Sequence, residues 1–406
     1  MRVERLHATS APRLSDHLDI RPSMAFDRWA IEAVQRVVSS APIRFELWDG
    51  FSVGSEGTSA VATLRLKNRR TLFSWLWDPE LNFGEAYMNG AVDVRGDLRE
   101  LLTAIYRALP ESKRRGSREA DKHDLGASRD NVHAHYDLGN DFYRLWLDQE
   151  LLYTCAYFPD PAATLEAAQI AKMDRVCRKL WLTPGERVVE AGCGWGSLAL
   201  HMARAYGVEV VACNISTEQI AYARERAKRE GLDGRVIFVE DDYRNLTGSY
   251  DAFVSVGMLE HVGLDQYDAL SRLIDRTLAP HGRGLLHFIG RDYRETLNAW
   301  IRRRVFPGAY PPTLHEVCER VFEPPRLSVF DVENLRLHYA MTLRHWFDRF
   351  EQHAADVCAM FDDAFVRAWR LYLAGSQVAF ETGTMQLFQI VFNRRGSATL
   401  PWTRLQ

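Results

Sequence analysis

The chain has 406 residues and a mass of 46.6 kDa, enough for two domains and an ample core. Hydrophobic residues make up 47% and charged residues 26%, so no disordered tract is needed, and a formal net charge of −3 gives no basic balance for a nucleic-acid partner. No apolar signal core opens the chain and no run approaches the roughly 18 consecutive apolar residues of a membrane span, so the expected location is cytoplasmic, at most peripheral to the inner face of a membrane. Six cysteines, at 155, 177, 193, 213, 318 and 358, form no C-x-x-C pair, which predicts a reduced compartment and no structural zinc.

In chain order, residues 26–38 read as an amphipathic helix, followed by strand-like runs at 43–48, 60–66 and 71–77. Helical segments 79–88 and 98–108 then flank the short run 91–94. Residues 1–110 are therefore expected to form a small α+β accessory domain. No catalytic constellation stands out in it, and docking, dimerisation and lipid presentation are its open roles, with a homodimer among the expectations. Residues 111–128 read as a charged linker, whose Lys113, Arg114, Arg115 and Arg118 are either solvated or in reach of anionic lipid headgroups. Residues 129–406 are expected to form the catalytic domain. His133 and His135 invite a metal, but no third ligand sits at a telling spacing. Tyr153, Thr154, Cys155 and Tyr157 make a dense aromatic and hydroxyl cluster before a helix at 165–180, an arrangement suited to a lid over a ligand.

The most informative stretch is R-V-V-E-A-G-C-G-W-G-S-L-A-L, residues 187–200. Val188 and Val189 read as a buried strand, Glu190 stands at its carboxyl end, and an apolar-periodic helix opens at Ser197. Glycines at 192, 194 and 196 let the backbone turn sharply and come close to a ligand. A dinucleotide G-x-G-x-x-G from Gly192 would need glycine at 197, where there is Ser197; the E-x-G-x-G-x-G spacing instead suits S-adenosylmethionine (SAM), with an ordinary glycine-rich turn as the bland alternative. On the SAM reading the turn offers Glu190, Ala191, Gly192, Cys193, Gly194 and Gly196, and Tyr153 and Thr154 close over it. Strands at 208–212, 236–240 and 252–256 alternate with helices at 217–230 and 267–278, the rhythm of a Rossmann-like, doubly wound and mostly parallel sheet with its ligand at the strands' carboxyl ends. The second strand ends without a ribose-binding acid, so Asn214, Ser216 and Gln219 are expected to bond the ribose; Asp241, Asp242 and Tyr243, with Arg244 beside them, suit the adenine.

A fifth strand at 284–288 follows, and the ordered motifs Y-T-C-A-Y-F, E-A-G-C-G-W-G, S-V-G-M-L-E-H-V-G, L-L-H-F-I-G and L-H-Y-A-M-T-L resemble the cyclopropane fatty acid synthase family of SAM-dependent methyltransferases, over residues 130–395. The resemblance implies a class I methyltransferase fold and a bicarbonate ion beside the substrate alkene, held by Cys155, Glu260, His287, the backbone of Ile289, and Tyr339. It implies methyl transfer to unsaturated acyl chains of phospholipids at a membrane surface, with ring closure to a cyclopropane. Methylene-branched, methyl-branched or furan-precursor products are the rival outcome, and a lipid-binding relative without catalysis is the rival class. Leu259 departs from the phenylalanine usual before the glutamate, which bears on the acyl slot, and Ser376 stands where relatives often carry cysteine. Tyr153, Tyr157, Phe288, Trp300 and Phe306 are candidate aromatic walls for a developing cation, each with core packing as the alternative.

Residues 291–325 read as an insertion. A helix at 293–305 sets Trp300 and Ile301 beside Arg302, Arg303 and Arg304, matching either an apolar face entering a bilayer surface or a helix with a solvated basic end. Helices at 331–338, 343–355 and 362–380 and a final strand at 385–392 complete the reading.

Overall fold

The computed structural model describes residues 21–55, 60–109 and 138–396; the linker residues Lys113, Arg114, Arg115 and Arg118 and the pair His133 and His135 lie outside these ranges. Among the described residues the strands are β1 (Ile43–Glu46), β2 (Ser52–Gly54), β3 (Ala62–Leu66), β4 (Val92–Gly96), β5 (Arg187–Ala191), β6 (Glu209–Asn214), β7 (Val236–Glu240), β8 (Tyr250–Val256), β9 (Leu278–Gly290), β10 (Leu327–Asn334) and β11 (Gln386–Arg394). They form a four-stranded sheet of order β2-β1-β3-β4 and a seven-stranded sheet of order β10-β11-β9-β8-β5-β6-β7. Two compact units result. One holds the small sheet together with residues 297–307 and 343–383, and the other holds the large sheet.

In the larger unit β7, β6, β5, β8 and β9 run parallel, and β11 and β10 extend the sheet antiparallel. Successive strand residues point to opposite faces, and the core divides accordingly. Val188, Val210, Ala212 and Val254 pack with Met173, Val176, Ala199 and Ala223 from the helices Leu165–Lys179, Ser197–Tyr206 and Thr217–Arg229. Val189, Cys213, Phe253 and Ile390 pack with Leu270, Ile274 and Val321 on the other face. This is the doubly wound sheet that the alternation of strands and helices predicts, and its order reverses between β5 and β8.

Three expected elements differ. Residues 71–77 are helix (Arg69–Trp77), not strand: Asn68 Oδ1 accepts from Thr71 N at 3.0 Å and caps the first turn, and the buried Leu72 and Trp75 recur at helical spacing. The aromatic and β-branched composition of this run lost to the cap and the spacing. Residues 331–334 belong to β10, paired with β11; Asn334 Oδ1 then accepts from Arg336 N at 3.0 Å, and the helix Arg336–Gln352 starts only there. The helix expected at 293–305 is confined to Ala299–Arg304, because Asn298 caps it by accepting from Trp300 N and Ile301 N.

That last helix corrects the bilayer reading of Trp300. The indole is 2% exposed and lies against Gly84, where a Cβ would stand 2.2 Å from Trp300 Cγ. Arg304 meets Glu85 with two bonds of 2.6 Å each, in the fork geometry that favours arginine. In the same unit Arg367 of the helix Asp363–Glu381 donates to Tyr87 O and Val92 O. Trp300→Ala should lower stability by about 3–5 kcal/mol, the usual cost of emptying a buried aromatic site. Thermal melts would test this; an unchanged melting temperature with weakened vesicle binding would restore Trp300 to a lipid-facing role.

Candidate active site

The turn between β5 and the helix Ser197–Tyr206 is built by three glycines with positive φ, in two different roles. At Gly192 a Cβ would press on Met258 Cβ at 3.0 Å, and at Gly196 it would stand 2.6 Å from Phe238 Cζ. At Gly194 it would meet nothing within 4 Å. Two glycines thus seat the turn against its neighbours, and the middle one faces open space.

That space is a cleft across the carboxyl ends of β5, β6, β7 and β8, at the point where the strand order reverses. Its walls include Tyr153, Thr154, Glu190, Gly192, Cys193 and Gly194 from the expected set, and Asn214, Gln219, Asp242 and Tyr243 farther along. Asn214 Nδ2 donates to Gln219 Oε1 at 2.6 Å and to Gly194 O at 3.4 Å, drawing the second strand end to the turn. The Asp242 carboxylate accepts from Arg244 Nε and Nη2 at 2.7 and 2.9 Å, so Arg244 orients the acid from outside the cleft. Three other expected residues also lie off the lining. Ala191 O accepts from Ser255 Oγ, Gly196 packs on Phe238, and Ser216 is fully buried as the cap of the helix Thr217–Arg229. Of the five proposed aromatic walls, only Tyr153 lines the cleft. Phe288 lies in the core beside Phe388, Phe306 meets Tyr372 edge-on, Trp300 covers Gly84, and Tyr157 stacks on His338 with Arg175 over its ring. Leu259 is likewise a core residue at 1% exposure.

Of the residues expected to hold an anion, Cys155, Glu260, His287 and Tyr339 are buried and Ile289 is partly buried; all lie outside the cleft lining, and their hydrogen bonds fall in two sets. His287 and Ile289 share one face of β9. Ile289 N donates to Glu260 Oε1 at 3.5 Å, and Gln389 on β11 lies 3.2 Å from His287 Nδ1. With the Gln389 amide donating, the imidazole proton sits on Nε2. That atom and Glu260 Oε2 are buried with no hydrogen-bond partner, a costly state for polar atoms that a bound small anion would relieve. Burial lowers the His287 pKa to about 3, so the ring is a neutral donor, and lifts the Glu260 carboxyl to about 7. In the second set, Cys155 Sγ lies 4.0 Å from Leu335 O, the same carbonyl that accepts from Tyr339 N. Burial holds the Cys155 thiol protonated by raising its pKa well above the ordinary value.

Sequence reasoning missed Lys172, Asp148, Trp195 and Met258. Lys172, Trp195 and Met258 line the cleft; Asp148 is 2% exposed and accepts from Glu150 N and Leu152 N. Trp195 lies within the glycine turn and donates to Asn140 Oδ1 at 2.7 Å, a position the motif itself could have flagged. Lys172 gave no signal, because a lysine in an amphipathic helix ordinarily marks the solvent side.

Two outcomes follow. Gly194→Val should put a branched side chain into the cleft and abolish SAM binding with the fold intact, as calorimetry and circular dichroism would record; full affinity in a folded variant would move the site elsewhere. Glu260 has a folded pKa of about 7 against an ordinary 4.5, so its contribution is fully favourable only below the unfolded value and is lost as pH rises through the folded one. Glu260→Gln should therefore gain stability over the parent between pH 5 and pH 8 in bicarbonate-free buffer, by on the order of 3 kcal/mol. Parallel stability curves for the two proteins would exclude the strained carboxylate.

Residues 123–390 match the family model of mycolic acid cyclopropane synthetase, and residues 31–114 match a domain family described only as of unknown function. A probable fatty acid methyltransferase of Pseudomonas putida is 37% identical over 89% of this chain and 95% of its own length. The cyclopropane-fatty-acyl-phospholipid synthase of Escherichia coli K12 is 36% identical over 83% of this chain and 89% of its own. The solved structure of mycolic acid cyclopropane synthase CmaA1, complexed with SAH and CTAB, superposes with a TM-score of 0.62 at 30% identity, over 66% of this chain and 98% of that one. With the cleft at the reversal of a doubly wound sheet and the glycine turn at its floor, these matches place the chain in the mycolic acid cyclopropane synthetase family of SAM-dependent methyltransferases.

Proposed function

We propose that this methyltransferase acts on the double bond of unsaturated acyl chains of membrane phospholipids and closes a cyclopropane ring, working from the membrane surface. The observation that carries this reading beyond methyl transfer is the pair of unpartnered buried atoms, His287 Nε2 and Glu260 Oε2, beside the Ile289 amide. A neutral histidine N–H, a main-chain N–H and a carboxyl together fit a small planar anion with one proton of its own. Bicarbonate, when bound there, would supply the base that removes a proton from the transferred methyl. His287 and Ile289 would donate to it, Glu260 would accept its proton, and Tyr339 and Cys155 would close the cage as neutral groups. SAM would occupy the glycine-turn cleft, with Asn214 and Gln219 toward its ribose and Asp242 and Tyr243 toward its adenine.

An isolated alkene is a weak nucleophile, so its rate depends on in-line placement against the sulfonium methyl in a site that keeps water from the developing cation. Among the described residues no helix is long and apolar enough to cross a membrane, so an embedded acyl chain would be met at the surface. The relatives named for a fatty-acyl-phospholipid and for fatty acid support an acyl substrate.

Tyr339→Phe should leave SAM affinity nearly intact and lower turnover by about 10²-fold or more, the scale of lost acid–base or electrostatic assistance. The product itself is decided with trideuteromethyl SAM and unsaturated phospholipid vesicles. A cyclopropane keeps two of the three labels; retention of all three, or new exocyclic methylene protons, would assign a methyl-branched or methylene product instead.

A further inference from the structure

We propose that Lys172 is a positioning residue for methyl transfer, clamping the strap of residues 150–158 over the cofactor cleft through its bond to Thr154. Its ammonium is 1% exposed, yet it lines the cleft, and Nζ donates to Thr154 Oγ1 at 2.9 Å. A buried lysine is expensive to keep unless it is bonded and balanced by opposite charge, so its retention needs a reason.

The reason lies in what the strap is made to do. One turn earlier on the same helix, Gln169 Nε2 donates to Leu152 O and Thr154 O at 3.2 and 3.0 Å. Asp148 accepts from the amides of Glu150 and Leu152 and holds Leu151 at φ 55°, a conformation seldom adopted by a branched apolar residue. On the far side, a Cβ at Gly257 would lie 2.8 Å from Thr154 Cγ2, so the threonine methyl is already pressed on the end of β8. Thr154 is therefore held at both ends, its hydroxyl by Lys172 and its methyl by Gly257. Its neighbours follow: Tyr153 lines the cleft, and Cys155 is buried off it, toward Leu335 O. One ammonium thus sets the register between the cofactor side of the strap and the side facing the expected anion cage.

The charges around Lys172 fit that task. Burial pulls its pKa down to about 8, opposed by the acids Asp148 and Glu190, and Lys172 in turn helps keep His287 neutral. Burial also raises Asp148 to about 6. At neutral pH the ammonium is mostly charged. As pH rises past about 8 it loses its proton, and the clamp weakens from a charge-assisted bond to an ordinary one.

The inference rests on methyl transfer and not on which product forms. The test compares the parent, Lys172→Met, Lys172→Arg, Thr154→Val and the double variant Lys172→Met/Thr154→Val. Measurements are SAM affinity by calorimetry, melting temperature, and SAH release with unsaturated phospholipid vesicles from pH 6.5 to 9.5. We expect each single change to lower turnover tenfold or more in protein that still melts cooperatively, and the double variant to fall no further than the worse single one, because both break the same contact. The loss of rate above about pH 8 in the parent should move to higher pH in Lys172→Arg, a displacement that merely structural support would not produce. Wild-type turnover in folded Lys172→Met, or multiplicative losses in the double variant, would overturn the proposal. Should Lys172→Met not fold, full turnover by Thr154→Val would overturn it equally. Failure of the parent itself to turn over, with SAM affinity retained, would count against the phospholipid reading and would leave the calorimetric comparison of the variants to decide the clamp: unaltered SAM affinity in every one of them would then refute it.

Discussion

The larger unit is organised around ionisable groups taken out of water. Glu190, Lys172, Asp148, Glu260 and His287 are each 5% exposed or less, and each would be costly in an apolar interior without a partner of opposite sign or a hydrogen bond. Burial pushes Glu190 up and Lys172 down, the shifts expected of groups driven toward neutrality, and each moderates the other. The apolar faces of the sheet are assembled so that these groups arrive together at the strand ends. Two valines in succession, Val188 and Val189, commit β5 to opposite cores, and the strand then has to deliver Glu190 and the glycine turn to the same edge each time. Precision at the site comes from that packing.

Much of this was legible in the chain before any coordinates. Strands β5 to β9 and the helices between them follow from apolar runs and helical spacing, and the glycine turn names its own position. The failures have local causes. The run 71–77 is rich in residues that favour strands, but a capping asparagine decides its form from outside the run. The segment 331–334 mixes charged and apolar residues in a way that suits helix or edge strand, and pairing with β11, more than fifty residues away in sequence, selects the strand. Trp300 beside three arginines has the composition of a membrane contact, yet its partner is a glycine at position 84 that no reading of the insertion alone could supply.

The residues of the candidate site were legible to the extent that backbone geometry demands them. Gly192 and Gly196 announce tight packing, and Asn214 ends β6, where its amide donates to Gln219 of the following helix. Lys172 was invisible because helical periodicity treats lysine as solvent-facing, and its burial depends on acids contributed by two other segments, Asp148 and Glu190. A charge whose partners are distant in sequence has no signature in a single chain.

The outer edge of the large sheet carries a further consequence. Among the described residues, β10 offers one row of backbone groups with no neighbouring strand, the kind of border onto which another chain's strand can add. Here the register shifts between Val329 and Asp331, and such a bulge twists a border away from flat pairing. Beyond it Asp331 and Glu333 are drawn inward by Lys179 and Arg175, which places ion pairs where a flush apolar surface would otherwise lie beside the half-exposed Val329 and Phe330. The irregularity and the charges together work against edge-to-edge pairing with the strand of another copy of the chain.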